Sequence, residues 1–128
     1  MAVGSDYAAR LREAGVYYKA LTVMRGRAKV IVFTAPGVDL TNYDFAGEVR
    51  VLPDAGGDPV ASWTFEAVLT GGDTVITATL SAGAIDGPTA PEPGAAAQLY
   101  YDLTMTPLGG AEKVFMGGEI YRAGSVTA

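Results

Sequence analysis

Apolar residues recur at every second position along most of this chain, and a period of two marks half-buried β-strands rather than helices. From Gln98 to Thr106, Leu99, Tyr101, Leu103 and Met105 share one face, while Gln98, Tyr100, Asp102, Thr104 and Thr106 share the other. From Ala61 to Leu69 the inward set is Ala61, Trp63, Phe65, Ala67 and Leu69, against Ser62, Thr64 and Glu66. Thr74 to Leu80 sets Ile76, Ala78 and Leu80 against Val75, Thr77 and Thr79, and Asp44 to Leu52 groups Phe45, Val49 and Val51 against Glu48 and Arg50. Glu112 to Arg122 aligns Val114, Met116, Gly118 and Ile120, and Gly117-Gly118 in mid-run marks a bulge or a close backbone approach. Ala28 to Thr34 holds the continuous run Val30-Ile31-Val32-Phe33, which predicts a more fully buried strand. Tyr17 to Met24 alternates more weakly and completes a set of about seven strands.

The breaks between these runs carry turn chemistry. Thr70-Gly71-Gly72-Asp73 fits a tight hairpin, because glycine supplies the positive φ such turns require. Pro107-Leu108-Gly109-Gly110 does the same before the last strand. Ala35 to Asp39 and Asp54 to Pro59 are longer loops, and Gly87 to Gly94, crowded with Pro and Gly, reads as an exposed crossover. One segment departs from the β pattern. Ser5 to Gly15 is rich in helix formers, with Ser5 as N-cap and Gly15 as stop, and predicts a short helix whose narrow stripe is Tyr7, Ala8, Leu11 and Ala14. A helix so short needs a surface to dock on, either its own sandwich or a neighbouring subunit. The expected domain plan is a helical arm over 1–16 and a sandwich over 17–128. The expected fold is therefore all-β, an antiparallel sandwich or barrel of about seven strands with a short N-terminal helix.

Composition narrows the chemistry. The 128 residues contain neither cysteine nor histidine, which removes disulfides, thiolate and imidazole metal ligands, cysteine nucleophiles and histidine-based triads. A net charge of −5 opposes a nucleic-acid partner, and the one dense basic stretch, Arg25-Gly26-Arg27-Ala28-Lys29, reads as a solvated loop. No apolar run approaches the ~20 residues of a membrane span, and the N-terminus lacks the basic and apolar regions of a signal peptide. Among carboxylates, Asp102 with Glu119 or Glu66 is the pairing that adjacent strands could bring together, but outward acids on strands are what solubility requires. Asp54 to Asp58 lacks the ligand spacing and distal glutamate of an EF-hand, and no glycine pair sits in a phosphate-loop context. The expectation is a protein without catalytic residues, metal or cofactor, and without a small-molecule substrate. Tyrosines remain as contact residues. Tyr17-Tyr18 and Tyr100-Tyr101 each put one ring on each strand face, so Tyr17 or Tyr18 and Tyr100 are expected to be exposed, suited to protein interfaces, to cross-strand pairing that only stabilises the sheet, or to stacking on sugars.

With the strands placed, four segments in order resemble a family. Asp39-Leu40-Thr41-Asn42-Tyr43 followed by Val49-Arg50, the strand Thr74 to Ala82, Leu99-Tyr100-Tyr101-Asp102-Leu103-Thr104, and Gly109 to Ile120 with Ser125-Val126-Thr127 together resemble small bacteriophage virion proteins and the N-terminal domains of some phage baseplate and tail-fibre proteins. The resemblance spans about residues 17 to 128. It implies an immunoglobulin-like β-sandwich, no catalytic residues, and attachment of one virion component to another. It also implies location in the virion after assembly in the bacterial cytoplasm, with other virion proteins and further copies of the chain as partners, so a homo-oligomer, and with neither nucleic acid nor membrane. The chain departs from the pattern in its N-terminal arm and in stopping where fibre proteins continue, which favours an adaptor, connector or decoration component. The candidate interface residues are Tyr7, Leu11, Tyr17, Tyr18 and Tyr100. The alternative is a carbohydrate-binding module that stacks sugars on exposed tyrosines.

Overall fold

A computed structural model describes residues 15–53, 57–87 and 99–123. Among them nine strands are formed: β1 (Tyr17–Tyr18), β2 (Leu21–Met24), β3 (Lys29–Ala35), β4 (Asp44–Arg50), β5 (Ala61–Ser62), β6 (Thr64–Thr70), β7 (Asp73–Leu80), β8 (Leu99–Thr106) and β9 (Lys113–Ala123). They make two sheets. The larger runs β1-β9-β8-β4-β5, with β2 beside β1 on β9, and the smaller runs β3-β7-β6. Their inner faces meet in one core built from Val49, Trp63, Ala78, Leu80, Leu99, Tyr101, Leu103, Met116 and Ile120, with Leu21, Val23 and Ile85 closing it. Burying each large aliphatic side chain here stabilises the fold by about 1.5–3 kcal/mol, so the period-two pattern is also the main source of stability.

The described residues contain no helix, and none long and apolar enough to cross a membrane. The helix expected over Ser5–Gly15, with Tyr7 and Leu11, lies outside the described residues apart from Gly15, which has a φ of 75°. The sheets are also not purely antiparallel. Both β1 and β2 pair parallel to β9, in one register: Tyr17 lies opposite Met116 and Leu21 opposite Ile120. They are one strand interrupted at Lys19-Ala20. The cause lies across the pair at Gly118, where a Cβ would sit 2.2 Å from the Lys19 carbonyl oxygen. The missing side chain lets that carbonyl turn inward, and the Tyr101 hydroxyl donates to it at 2.7 Å. The close backbone approach read from Gly117-Gly118 is therefore real. The bulge falls elsewhere, where Leu103 faces Met116 but Thr104 faces Val114.

That bulge corrects the pattern over Glu112–Arg122. The skipped residue, Phe115, turns inward and packs 5.4 Å from Phe33 and 6.2 Å from Phe45, while Phe45 stacks 5.8 Å from Phe65. All four phenylalanines so gather between the sheets, and Val114, expected inside, lines the outer face instead. Two further expectations change. Ala61–Leu69 is not one strand: Ser62 pairs with Glu48 in the larger sheet, Thr64 pairs with Thr79 in the smaller, and Trp63 plugs the core at the crossing, with Leu69 left exposed. The β3 run is not fully buried, since Val30 and Val32 are 52% and 60% exposed while Ile31 and Phe33 face the core. A continuous apolar run fits a two-sided burial, but the smaller sheet has no layer on its outer side among the described residues.

The turns follow their sequences. Gly71 and Gly72 have φ of 59° and 88°, the two positive values of a type I′ hairpin, with Thr70 facing Asp73. Between β3 and β4 the chain crosses from one sheet to the other through Asp39-Leu40-Thr41-Asn42-Tyr43. Asp39 accepts from the Thr41 amide (2.9 Å) and hydroxyl (2.6 Å), and the Tyr43 amide donates to Leu40 (3.0 Å). The buried Thr74 hydroxyl holds this crossing to β7, donating to Val38 at 2.7 Å and accepting from the Leu40 amide at 2.9 Å. Thr74→Val keeps the volume but strands both backbone groups, so it is expected to cost about 2 kcal/mol and to speed amide exchange at Leu40. Unchanged protection at Leu40 would refute that role.

Candidate functional site

Three of the five sequence-predicted contact residues lie among the described residues, and of these Tyr18 and Tyr100 pack together while Tyr17 stands apart. Tyr7 and Leu11 lie outside the described residues. Tyr17, on β1, is 62% exposed and stands at the mouth between the sheets. Tyr18 is half-buried on the outer face of the larger sheet, where its hydroxyl donates to the Glu119 carboxylate. Tyr100 corrects the expectation of exposure. It does point to the outer face, but it is 4% exposed because Val16 and Tyr18 pack over it. Alternation told its direction and could not tell that the chain entering β1 would cover it.

Around Tyr100 the outer face of the larger sheet carries an aromatic and acidic cluster. Glu119 lies directly across from Tyr100, and although charged it is only 4% exposed. Tyr121, two residues further along β9, has its hydroxyl pKa pushed above the ordinary 10.0, first by burial and then by the Glu119 charge. Above pH 10 the unfolded chain ionises this tyrosine while the folded chain retains its proton, so folding loses stability as pH rises. The melting temperature is expected to fall through that alkaline range, and less steeply in Tyr121→Phe. Equal slopes in the two proteins would count against it.

Further along the same face lies a shallow groove of about 510 Å³, lined by Glu48, Asp102, Thr104, Glu112 and Val114 among others. Glu48 and Asp102 face each other across β4 and β8, an unfavourable juxtaposition relieved by Arg50, which pairs with Glu48 at 3.0 Å and donates to the Gly57 carbonyl at 2.8 Å. Thr104 bonds Glu112 at 3.3 Å. Such a surface attracts cationic groups. Among the described residues, no cluster of three or more His, Cys, Asp or Glu is placed to hold a metal. Of the carboxylates considered for hydrolysis, Asp102 and Glu119 do lie on adjacent strands of the larger sheet, diagonally across the β8–β9 pair, where Glu119 takes the Tyr18 hydroxyl, while Glu66 is exposed on the smaller sheet.

The outer face of the smaller sheet has the opposite character. Outward positions over Val30–Thr34, Val75–Thr79 and Thr64–Val68 are valine or threonine, with Glu66 as their one charge. Val30, Val32 and Val68 are 46–60% exposed. The sequence signal for this face is the Val30-Ile31-Val32-Phe33 run, which predicts burial because an apolar residue on an open face and one facing a core look alike in sequence. The basic stretch before β3 is an exposed turn, with φ of 75° at Gly26, whose amide bonds the Asp86 carboxylate at 3.1 Å while Arg25 donates to the Asp86 carbonyl.

No protein-family model matches the chain, and no curated protein sequence matches it.

Proposed function

We propose that this protein is a non-enzymatic structural component of a bacteriophage or phage-like particle, an adaptor, connector or decoration element that joins virion proteins through its sheet surfaces. The observation that carries the proposal is the outer face of the smaller sheet, where valines and threonines lie open on a well-packed sandwich, with Glu66 as the one charge among the outward positions of Val30–Thr34, Thr64–Val68 and Val75–Thr79. Exposed apolar side chains gathered on one sheet face, as Val30, Val32 and Val68 are here, mark contact with other proteins.

The finer fold reading is immunoglobulin-like. Labelling β3, β4, β5, β6, β7, β8 and β9 as B, C, C′, D, E, F and G, the order β9-β8-β4-β5 is G-F-C-C′ and β3-β7-β6 is B-E-D, with crossings between B and C, C′ and D, and E and F. The chain differs from antibody domains in having no cysteine pair and in carrying its core tryptophan at the C′–D crossing. Assembly would occur in the bacterial cytoplasm and the mature location would be the virion, with other virion proteins and further copies as partners. Sugar stacking, the other reading, loses Tyr100 as its platform, since that ring is covered.

The test is density-gradient purification of particles from cells producing the protein alongside its native particle. Co-sedimentation at a fixed stoichiometry is expected. Recovery only at the top of the gradient would overturn the reading.

A further inference from the structure

We propose that the edge of β3 left unpaired among the described residues is a self-association site, where a second copy of this chain adds its own β3 antiparallel, centred on Val32. The inference rests on reading the chain as a structural building block, and it names one partner of that block.

Among the described residues the smaller sheet ends at β3, which pairs with β7 on one side only. Natural sheets blunt such edges with proline, bulges, or charges in mid-strand. Here Lys29 to Ala35 pairs with β7 through seven unbroken positions, contains no proline, and has its one charge, Lys29, at its start. The opposite edge, β6, is blunted by Glu66 near its middle. A two-fold axis at Val32 sets Val32 against its counterpart, Val30 against Thr34, Ile31 against Phe33, and Lys29 against Ala35, so no like charges face each other. Beside this edge the sandwich opens into an apolar groove of about 340 Å³ bordered by Tyr17, Ile31, Phe33 and Phe115. A strand added to β3 runs along that mouth.

Charge selects the occupant and its direction. Each copy carries a net −5, so copies repel except where that charge is locally absent or matched. β3 begins beside Arg27 and Lys29 and ends beside Asp39 and Asp73, the latter held at that end by accepting from the Gly37 amide at 2.8 Å. Antiparallel addition puts each basic end beside the other copy's acidic end. Parallel addition would put like beside like.

Sedimentation velocity on the full chain, from about micromolar to millimolar, tests this. A monomer–dimer equilibrium is expected. Val32→Lys, at an exposed position, places two ammonium groups on the axis and should raise the dissociation constant about tenfold or more, as should Lys29→Glu by reversing the basic end. Val68→Lys, on the other edge, should leave it unchanged. A chain monomeric at every concentration, a dimer indifferent to both β3 substitutions, or a dimer lost on Val68→Lys would overturn the proposal. A monomer that still co-sediments with particles removes only this edge contact, whereas a β3-dependent dimer absent from particles removes only the virion reading.

Discussion

Gly118→Ala is expected to destabilise the fold by about 3 kcal/mol and to lower the melting temperature by roughly 10 °C. The alanine methyl would meet backbone, 2.2 Å from the Lys19 oxygen and 2.8 Å from its carbon, so no side-chain rotation relieves it. Either β1 lifts off β9, breaking the Lys19 amide bond to Gly117 (2.9 Å) and the Tyr101 bond to the Lys19 carbonyl (2.7 Å), or β9 distorts at the centre of the larger sheet. Gly87→Ala is the matched control. A Cβ there meets nothing within 4 Å, and a change within about 0.5 kcal/mol is expected. Tyr101→Phe attacks the same contact from the other side and should cost about 1–2 kcal/mol by depriving the inward carbonyl of its donor. The two effects should be sub-additive, since Gly118→Ala already displaces that carbonyl. If Gly118→Ala melts with the native protein, the inward turn of Lys19 is not what holds this strand pair together.

The second large effect is expected at the chain's single tryptophan. Trp63 is 4% exposed, rests 5.8 Å from the Tyr101 ring, and sits where the chain passes from one sheet to the other, its amide bonded to Gly47 at 2.9 Å. Trp63→Ala opens a cavity between sheets that are joined there by the backbone and cannot simply close in, so a loss of about 4 kcal/mol is expected by chemical denaturation followed by circular dichroism. Trp63→Phe should cost far less. It keeps most of the packing, and the indole Nε1 it removes is buried with no hydrogen-bond partner among the described residues, so little hydrogen-bond energy is lost. Gly47 gives an internal check. Its added Cβ would lie 2.6 Å from Leu103 Cδ2 and 3.0 Å from Trp63 Cδ1, so Gly47→Ala should be costly in the native core and cheaper in the Trp63→Ala background. Equal costs in both backgrounds would show that Gly47 does not shape the tryptophan pocket.

These two positions show where sequence reading succeeded and where it stopped. Trp63 was legible as a core residue because its neighbours alternate, as were Ile76, Ala78 and Leu80 on β7 and Leu99, Tyr101 and Leu103 on β8, all of them buried. Gly117-Gly118 was legible as an irregularity. Its partner, Lys19, was not, because the two are about a hundred residues apart and nothing local couples them. The break at Trp63 was invisible for a related reason: alternation continues unbroken through a strand that changes sheets, since both sheets bury the same side. The bulge at Phe115 escaped because one skipped residue reverses parity without leaving a mark in composition.

The candidate surfaces divide in the same way. Period-two patterning and glycine chemistry are local consequences of chain geometry, so the sequence was sufficient for an all-β fold, the hairpin tips, most core positions and the outward direction of Tyr100, while Tyr17 and Tyr18 were fixed only as lying on opposite faces. What lies over an outward residue depends on which distant segment arrives there. Only the tertiary structure could decide that Tyr100 is covered by Val16 and Tyr18, that Val30 and Val32 are left open, and that β3 ends its sheet among the described residues. Burial is a property of pairs of segments brought together by the whole fold, and no window along one chain contains both members.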